Sequence, residues 1–137
     1  MSTKQLKDCP YIINAQELDL NDVVKKKIDK KIQKFVSERL KRIEIYRILY
    51  KVGSLKVVGF IVLPRRGKQL PCIINLRGGS RDFGKITDEK LVFAHSFFAD
   101  SGYVVISTQY PGVDGGDGSD DWGGPNSMAS IKVLKSI

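Results

Sequence analysis

The side chains whose spacing could support nucleophilic or acid–base chemistry lie in the second half of the sequence. A serine set on a sharp Gly-x-Ser-x-Gly turn is absent; the closest stretch, Gly78-Gly79-Ser80-Arg81-Asp82, lacks the final glycine. His95 is the only histidine, so a Ser-His-Asp triad formed within these residues must use it. It falls mid-helix between Ala94 and Ser96, away from the strand ends where such chemistry is assembled, and reads as a surface or partly satisfied helix histidine. No residue is therefore assigned a catalytic role. Asp114, Asp117, Asp120 and Asp121 suggest a calcium loop, but Gly116 occupies its third position and no glutamate closes it, so a solvated turn is the reading. Cys9 and Cys72 show no CxxC or Cys/His spacing, and Cys72, between Pro71 and Ile73, reads as a small buried hydrophobe. No metal and no cofactor are expected. Gly78-Gly79, closing an apolar run, reads by itself as a plain strand-to-helix turn.

The elements that must position these residues follow from periodicity. Leu20, Val24, Ile28, Ile32, Phe35/Val36 and Leu40 recur at three- and four-residue spacing and predict one amphipathic helix of about 20 residues. Residues 1–18 before it are mixed and look unstructured. IEIYRILYKV and LKVVGFIVLP around Gly53-Ser54 predict an antiparallel hairpin. Leu55, Val57, Gly59, Ile61 and Leu63 share one face of its second strand; Val58, Phe60 and Val62 make the other face apolar too, so both faces should be covered. Cys72 to Leu76 has the continuous apolar form of a central parallel strand. Thr87-Asp88-Glu89 starts a helix with apolar positions Leu91, Val92, Ala94, Phe97 and Phe98, closing at Ser101-Gly102. Tyr103 to Ser107 is a second parallel strand, completing a βαβ crossover. A glycine- and aspartate-rich loop from Pro111 to Pro125 leads into a terminal helix, SMASIKVLKSI, with Met128, Ile131, Val133 or Leu134 and Ile137 as core positions. The organisation is a segment over 1–40 carrying the basic helix, then an α/β domain over 41–137.

The net charge of +8 is local. Residues 25–51 hold eleven Lys/Arg and three Asp/Glu, and the remainder carries twelve of each sign. The basic helix reads either as a solvated outer face or as a patch for an anionic surface or acidic partner. Aromatics interleaved with the basic residues, which base stacking needs, are almost missing, so no specific nucleic-acid recognition is expected. MSTKQLKDCPYII lacks a signal-peptide core, and no run approaches the ~18 apolar residues of a membrane span. No transmembrane segment and a cytoplasmic location are the expectation.

LPCIINLRGGSRDFG, FFADSGYVVISTQYPG and GGDGSDDWGG together resemble the first half of the catalytic domain of prolyl oligopeptidase family serine peptidases, over roughly Tyr46 to Ile137. In that family a β-hairpin precedes an apolar strand ending in His/Arg-Gly-Gly, then a helix, then GYVV and a Tyr-Arg-Gly loop. The resemblance implies an incomplete α/β-hydrolase three-layer fold: amino-terminal helix, antiparallel hairpin, parallel βαβ unit and terminal helix. It also implies that Arg77-Gly78-Gly79 is an oxyanion loop. Acyl transfer passes through a tetrahedral oxyanion that backbone N–H groups stabilise, and glycine permits their close approach. Gly78 and Gly79 are the donors so implied. Arg77 and Asp82 are expected to pair across that loop, and Tyr110 and Trp122 to shape the neighbouring one, although Pro111 stands where the family has arginine. The family's nucleophile, acid and base have no counterparts here. The chain is expected to be inactive alone against the peptide or ester substrates of a complete enzyme. The resemblance makes it the amino-terminal part of such an enzyme, a truncated or split gene product; the alternatives are that a complementary chain carrying the rest of the domain completes it, or that it is a basic interaction module.

Overall fold

A computed structural model describes Leu6 and residues 8–137; the first residues of the 1–40 segment, and part of the stretch read for a signal peptide, lie outside the described residues. The fold is mixed α/β. Strands β1 (Ile12–Glu17), β2 (Ile43–Val52), β3 (Leu55–Pro64), β4 (Cys72–Leu76) and β5 (Val104–Thr108) form one sheet in the order β1-β2-β3-β5-β4. Only β4 and β5 are parallel; every other pairing is antiparallel. Helices α1 (Asn21–Lys27) and α2 (Lys30–Leu40) precede the hairpin. Helix α3 links β4 to β5 in three successive segments, Asp88–Lys90, Leu91–His95 wound as a π-helix, and Ser96–Asp100. Helix α4 is Pro125–Leu134.

The hairpin forms as its sequence indicates, with Gly53 at φ +59° in the two-residue turn. Its alternation divides the core into two layers. Val58, Phe60 and Val62 pack with Val24, Val36, Leu91, Val92 and Ala99 under α1, α2 and α3. Val57, Ile61 and Leu63 pack with Tyr46, Ile48, Tyr50 and Leu134 on the α4 face. Gly59 lets β3 and β5 meet: a Cβ there would lie 2.7 Å from the Ser107 carbonyl and 3.1 Å from the Tyr50 ring.

Several sequence expectations need correction. The mixed opening contains β1, which pairs antiparallel with β2 through Ala15 and Ile48; its polar composition conceals a strand with only Ile12 and Ala15 buried. The single long helix is two. Ile28 is extended (φ −101°, ψ 139°), and Asp29 caps α2 by accepting the Lys31 N–H at 2.8 Å. The break buries Ile28 and leaves Ile32 and Phe35 exposed. β4 is an edge strand rather than a central one, and Cys72 at its start is exposed, because β4 hydrogen-bonds to β5 alone among the described strands. In α3 the buried positions are Leu91, Val92, His95, Ser96 and Ala99, while Ala94, Phe97 and Phe98 face outward. Helix α4 starts at Pro125, with Ser127, Ser130 and Leu134 buried and Met128 exposed.

Candidate functional site

Parallel β4 and β5 end side by side, Leu76 opposite Thr108, so the two glycine loops emerge together at their carboxyl ends. That is where open α/β sheets bind ligands. An open cleft of about 800 Å³ lies there, lined by Arg77, Gly79, Ser80, Arg81, Phe83, Tyr110, Asp120, Trp122 and Gly123.

The cleft is built around one buried ion pair. Arg77 Nη2 lies 3.4 Å from Asp120 Oδ2, the two side chains being 1% and 2% exposed. The same guanidinium donates to the Arg81 carbonyl at 2.7 Å and the Phe83 carbonyl at 3.5 Å, and lies 5.1 Å from the centre of the Tyr110 ring. Tyr110, itself at φ +69°, donates its hydroxyl to the Arg77 carbonyl at 3.1 Å. Asp120 accepts the Arg81 N–H at 2.7 Å and the Trp122 N–H at 3.0 Å. Burial pushes its pKa up, but the Arg81 and Trp122 N–H groups and the Arg77 charge outweigh burial and hold it below the usual value.

Within this frame the Arg77-Gly78-Gly79 backbone is tightly set. Gly79 sits at φ +78°, and a Cβ on it would fall 2.3 Å from the Phe83 carbonyl oxygen. Gly84, also at φ +78°, is blocked by the Gly78 carbonyl at 2.4 Å. Gly78 is exposed and has open space where a Cβ would stand. Among the described residues the Gly78 and Gly79 N–H groups have no acceptor, leaving two donors for a ligand.

The structure thus brings Arg77, Gly79, Tyr110 and Trp122 to one cleft, with Gly78 beside it. Asp82 does not join them. It is exposed and pairs with Lys85 at 3.4 Å, one turn away, whereas Arg77 takes Asp120. The correction has a local cause: the Ser80–Phe83 turn, closed by Phe83 N–H to the Ser80 carbonyl at 3.0 Å, directs Asp82 outward. The aspartates read as a solvated loop divide into distinct structural roles. Asp117 accepts the Lys56 N–H at 3.1 Å, and Asp121 takes the Asn126 and Ser127 N–H groups at 2.7 and 3.1 Å, capping α4. Among the described residues no three His, Cys, Asp or Glu side chains are grouped to hold a metal ion.

His95 is a buried, bonded residue and not a surface one, at 3% exposure. Its Nδ1 donates to the Lys90 carbonyl at 3.2 Å, which leaves Nε2 to accept from Asn75 Nδ2 at 3.1 Å or the Ser107 hydroxyl at 3.2 Å. Burial lowers its pKa. It lies between α3 and the sheet, outside the residues lining the cleft, so Ser80 and His95 form no dyad. Two site residues escaped sequence reasoning. Asp120 carries no mark distinguishing it from Asp121, and Phe83 stands in a turn where an apolar side chain was the only cue.

No family model matches the chain. It is 30% identical over 95 residues to "Uncharacterized peptidase YtmA" of Bacillus subtilis (strain 168), covering 69% of this chain and 35% of that protein. Acetyl xylan esterase 1 from Thermoanaerobacterium sp. JW/SL YS485 superposes with a TM-score of 0.47 at 14% identity, over 89% of this chain and 31% of the esterase. The chain therefore spans about a third of the length of each of these two proteins. Among the described residues, no helix is long and apolar enough to cross a membrane.

Proposed function

We propose that this chain supplies the oxyanion loop and substrate-facing rim of a serine hydrolase of the prolyl oligopeptidase type, acting on peptide or ester bonds. The observation that carries the reading is the pair of unpaired Gly78 and Gly79 N–H groups beside a cleft, at the end of a parallel strand and held by Arg77–Asp120. Preorganised donors of this kind stabilise the negative charge that develops on a carbonyl oxygen during acyl transfer. The likeness to a protein named as a peptidase supports the same class. Nucleophile, base and acid come, on this reading, from polypeptide beyond these 137 residues. The edge of β4, unpaired among the described strands, with exposed Phe98 near Ile73 and Asn75, supports a complementary chain that extends the sheet.

Two preparations test this. The purified chain alone should neither turn over a chromogenic ester nor be labelled by a fluorophosphonate. A chimera in which it replaces the 95-residue matching segment of the B. subtilis peptidase should regain both. Labelling of the chain alone, or an inert chimera made from an active parent, would contradict the proposal.

A second reading rests on a separate surface. Phe35 and Ile32 are exposed on α2 among Lys30, Lys31 and Lys34, an arrangement that suits an anionic surface. Cosedimentation with anionic vesicles at low salt, lost as ionic strength rises, is its signature. Absence of binding at low salt removes it.

A further inference from the structure

We infer that the cleft holds a preformed subsite for a planar aromatic group, framed by Phe83 and Trp122, next to the donors that would receive a carbonyl oxygen. The inference rests on the reading of Gly78 and Gly79 given above and adds the class of group that the site takes. Phe83 and Trp122 are the two most exposed large apolar side chains among the described residues, at 83% and 76%, and both line the same cleft. Large apolar side chains scattered singly on a surface need no explanation, but two of them converging on one concavity beside free N–H donors fit a binding site.

Their backbones are held rather than loose. Phe83 closes the Ser80–Phe83 turn, and its carbonyl accepts from Arg77 at 3.5 Å. Trp122 adopts φ +56°, a conformation unfavourable for a bulky residue, with its N–H fixed by Asp120 at 3.0 Å. The buried pair that shapes the donor loop thus also fixes the backbone from which both rings project. The Phe83 ring lies against the donors: its Cδ1 is 2.9 Å from where a Gly79 Cβ would stand. A ligand carbonyl at the Gly79 N–H therefore has an aromatic wall directly beside it. An acyl or amine substituent with a planar ring two or three bonds from the carbonyl carbon would seat between the rings, whose side chains have only two rotatable bonds each to order.

Trp122 is the only tryptophan, so its emission reports the site directly. Titration of the chain with N-benzylacetamide should give a saturable change in that emission, and N-methylacetamide, which lacks the ring, should give none over the same range. Phe83→Ala should leave the circular dichroism spectrum unchanged and raise the Kd by about threefold to tenfold, the range expected for one lost aromatic contact; Phe83→Leu should fall between. In a ¹H–¹⁵N spectrum the shifts should centre on Phe83 and Trp122. Equal response to the two amides, indifference to Phe83→Ala, or shifts confined to Phe93, Phe97 and Phe98 would overturn the inference. Shifts at Phe83 and Trp122 with none at Gly78 or Gly79 would uphold the aromatic subsite while counting against the oxyanion reading.

Discussion

Gly78 and Gly79 are adjacent and chemically identical, yet their surroundings predict opposite responses to a methyl group. Gly79→Ala drives a Cβ onto the Phe83 carbonyl at a φ that L-residues avoid, and should cost about 1–3 kcal/mol in urea unfolding. Gly78→Ala meets nothing within 4 Å and should stay within about 0.5 kcal/mol of the parent. Asp120→Ala strands the buried Arg77 guanidinium and should cost about 3 kcal/mol or more by the same measurement. His95 gives a pH signature. Its folded-state pKa is depressed by burial, so below about pH 6.5 the unfolded chain takes up the proton more readily and stability should fall as pH drops towards 5. Above that window the histidine contributes no slope. As the only histidine, it should account for the trend, and His95→Gln should flatten it. At this scale the sequence was legible where chemistry is local. Gly78-Gly79 reads by itself as the turn that ends β4, and there Gly79 takes its positive φ, whereas the choice of Asp120 over Asp82 depends on a partner 43 residues away.

Strands and helices show the same divide between local and distant causes. The β2–β3 hairpin was readable because turn and alternation sit in one stretch, and its two-faced apolar pattern correctly foretold layers on both sides. The place of β4 at the sheet edge was not, since a continuous apolar run describes what a strand is made of and not which strands lie beside it. β1 escaped because a strand with two buried residues out of six leaves almost no periodic signal. The break between α1 and α2 had a cue in Asp29, a good capping residue inside a heptad-like stripe that otherwise continued through it. Asp29→Ala should therefore weaken α2 by about 1 kcal/mol, seen as a lower urea midpoint with an unchanged slope. Retention of the midpoint would mean that burial of Ile28, rather than the cap, sets the break.

For the whole molecule, the arrangement is a sheet whose two edges among the described strands are β1 and β4, with the Arg77-Gly78-Gly79 loop following β4. Arg77–Asp120 joins the two loops that follow the parallel strands, so the geometry of the cleft is set by these residues; the nucleophile, base and acid that the proposed function requires would come from other polypeptide. Gly79, Phe83 and Trp122 line one cleft, with Gly78 beside it; on the proposed function the two glycine N–H groups receive a carbonyl oxygen there. The direct test is the kcat of the chimera with the B. subtilis peptidase, carrying either Gly79 or Gly79→Ala, for one chromogenic ester. Alanine keeps its own N–H, but its Cβ, 2.3 Å from the Phe83 carbonyl oxygen, forces that N–H out of position; Gly79→Ala should lower kcat by about 10²–10³ with KM little changed, as displacement of a donor used only in the transition state requires. An unchanged kcat in a folded variant would contradict it.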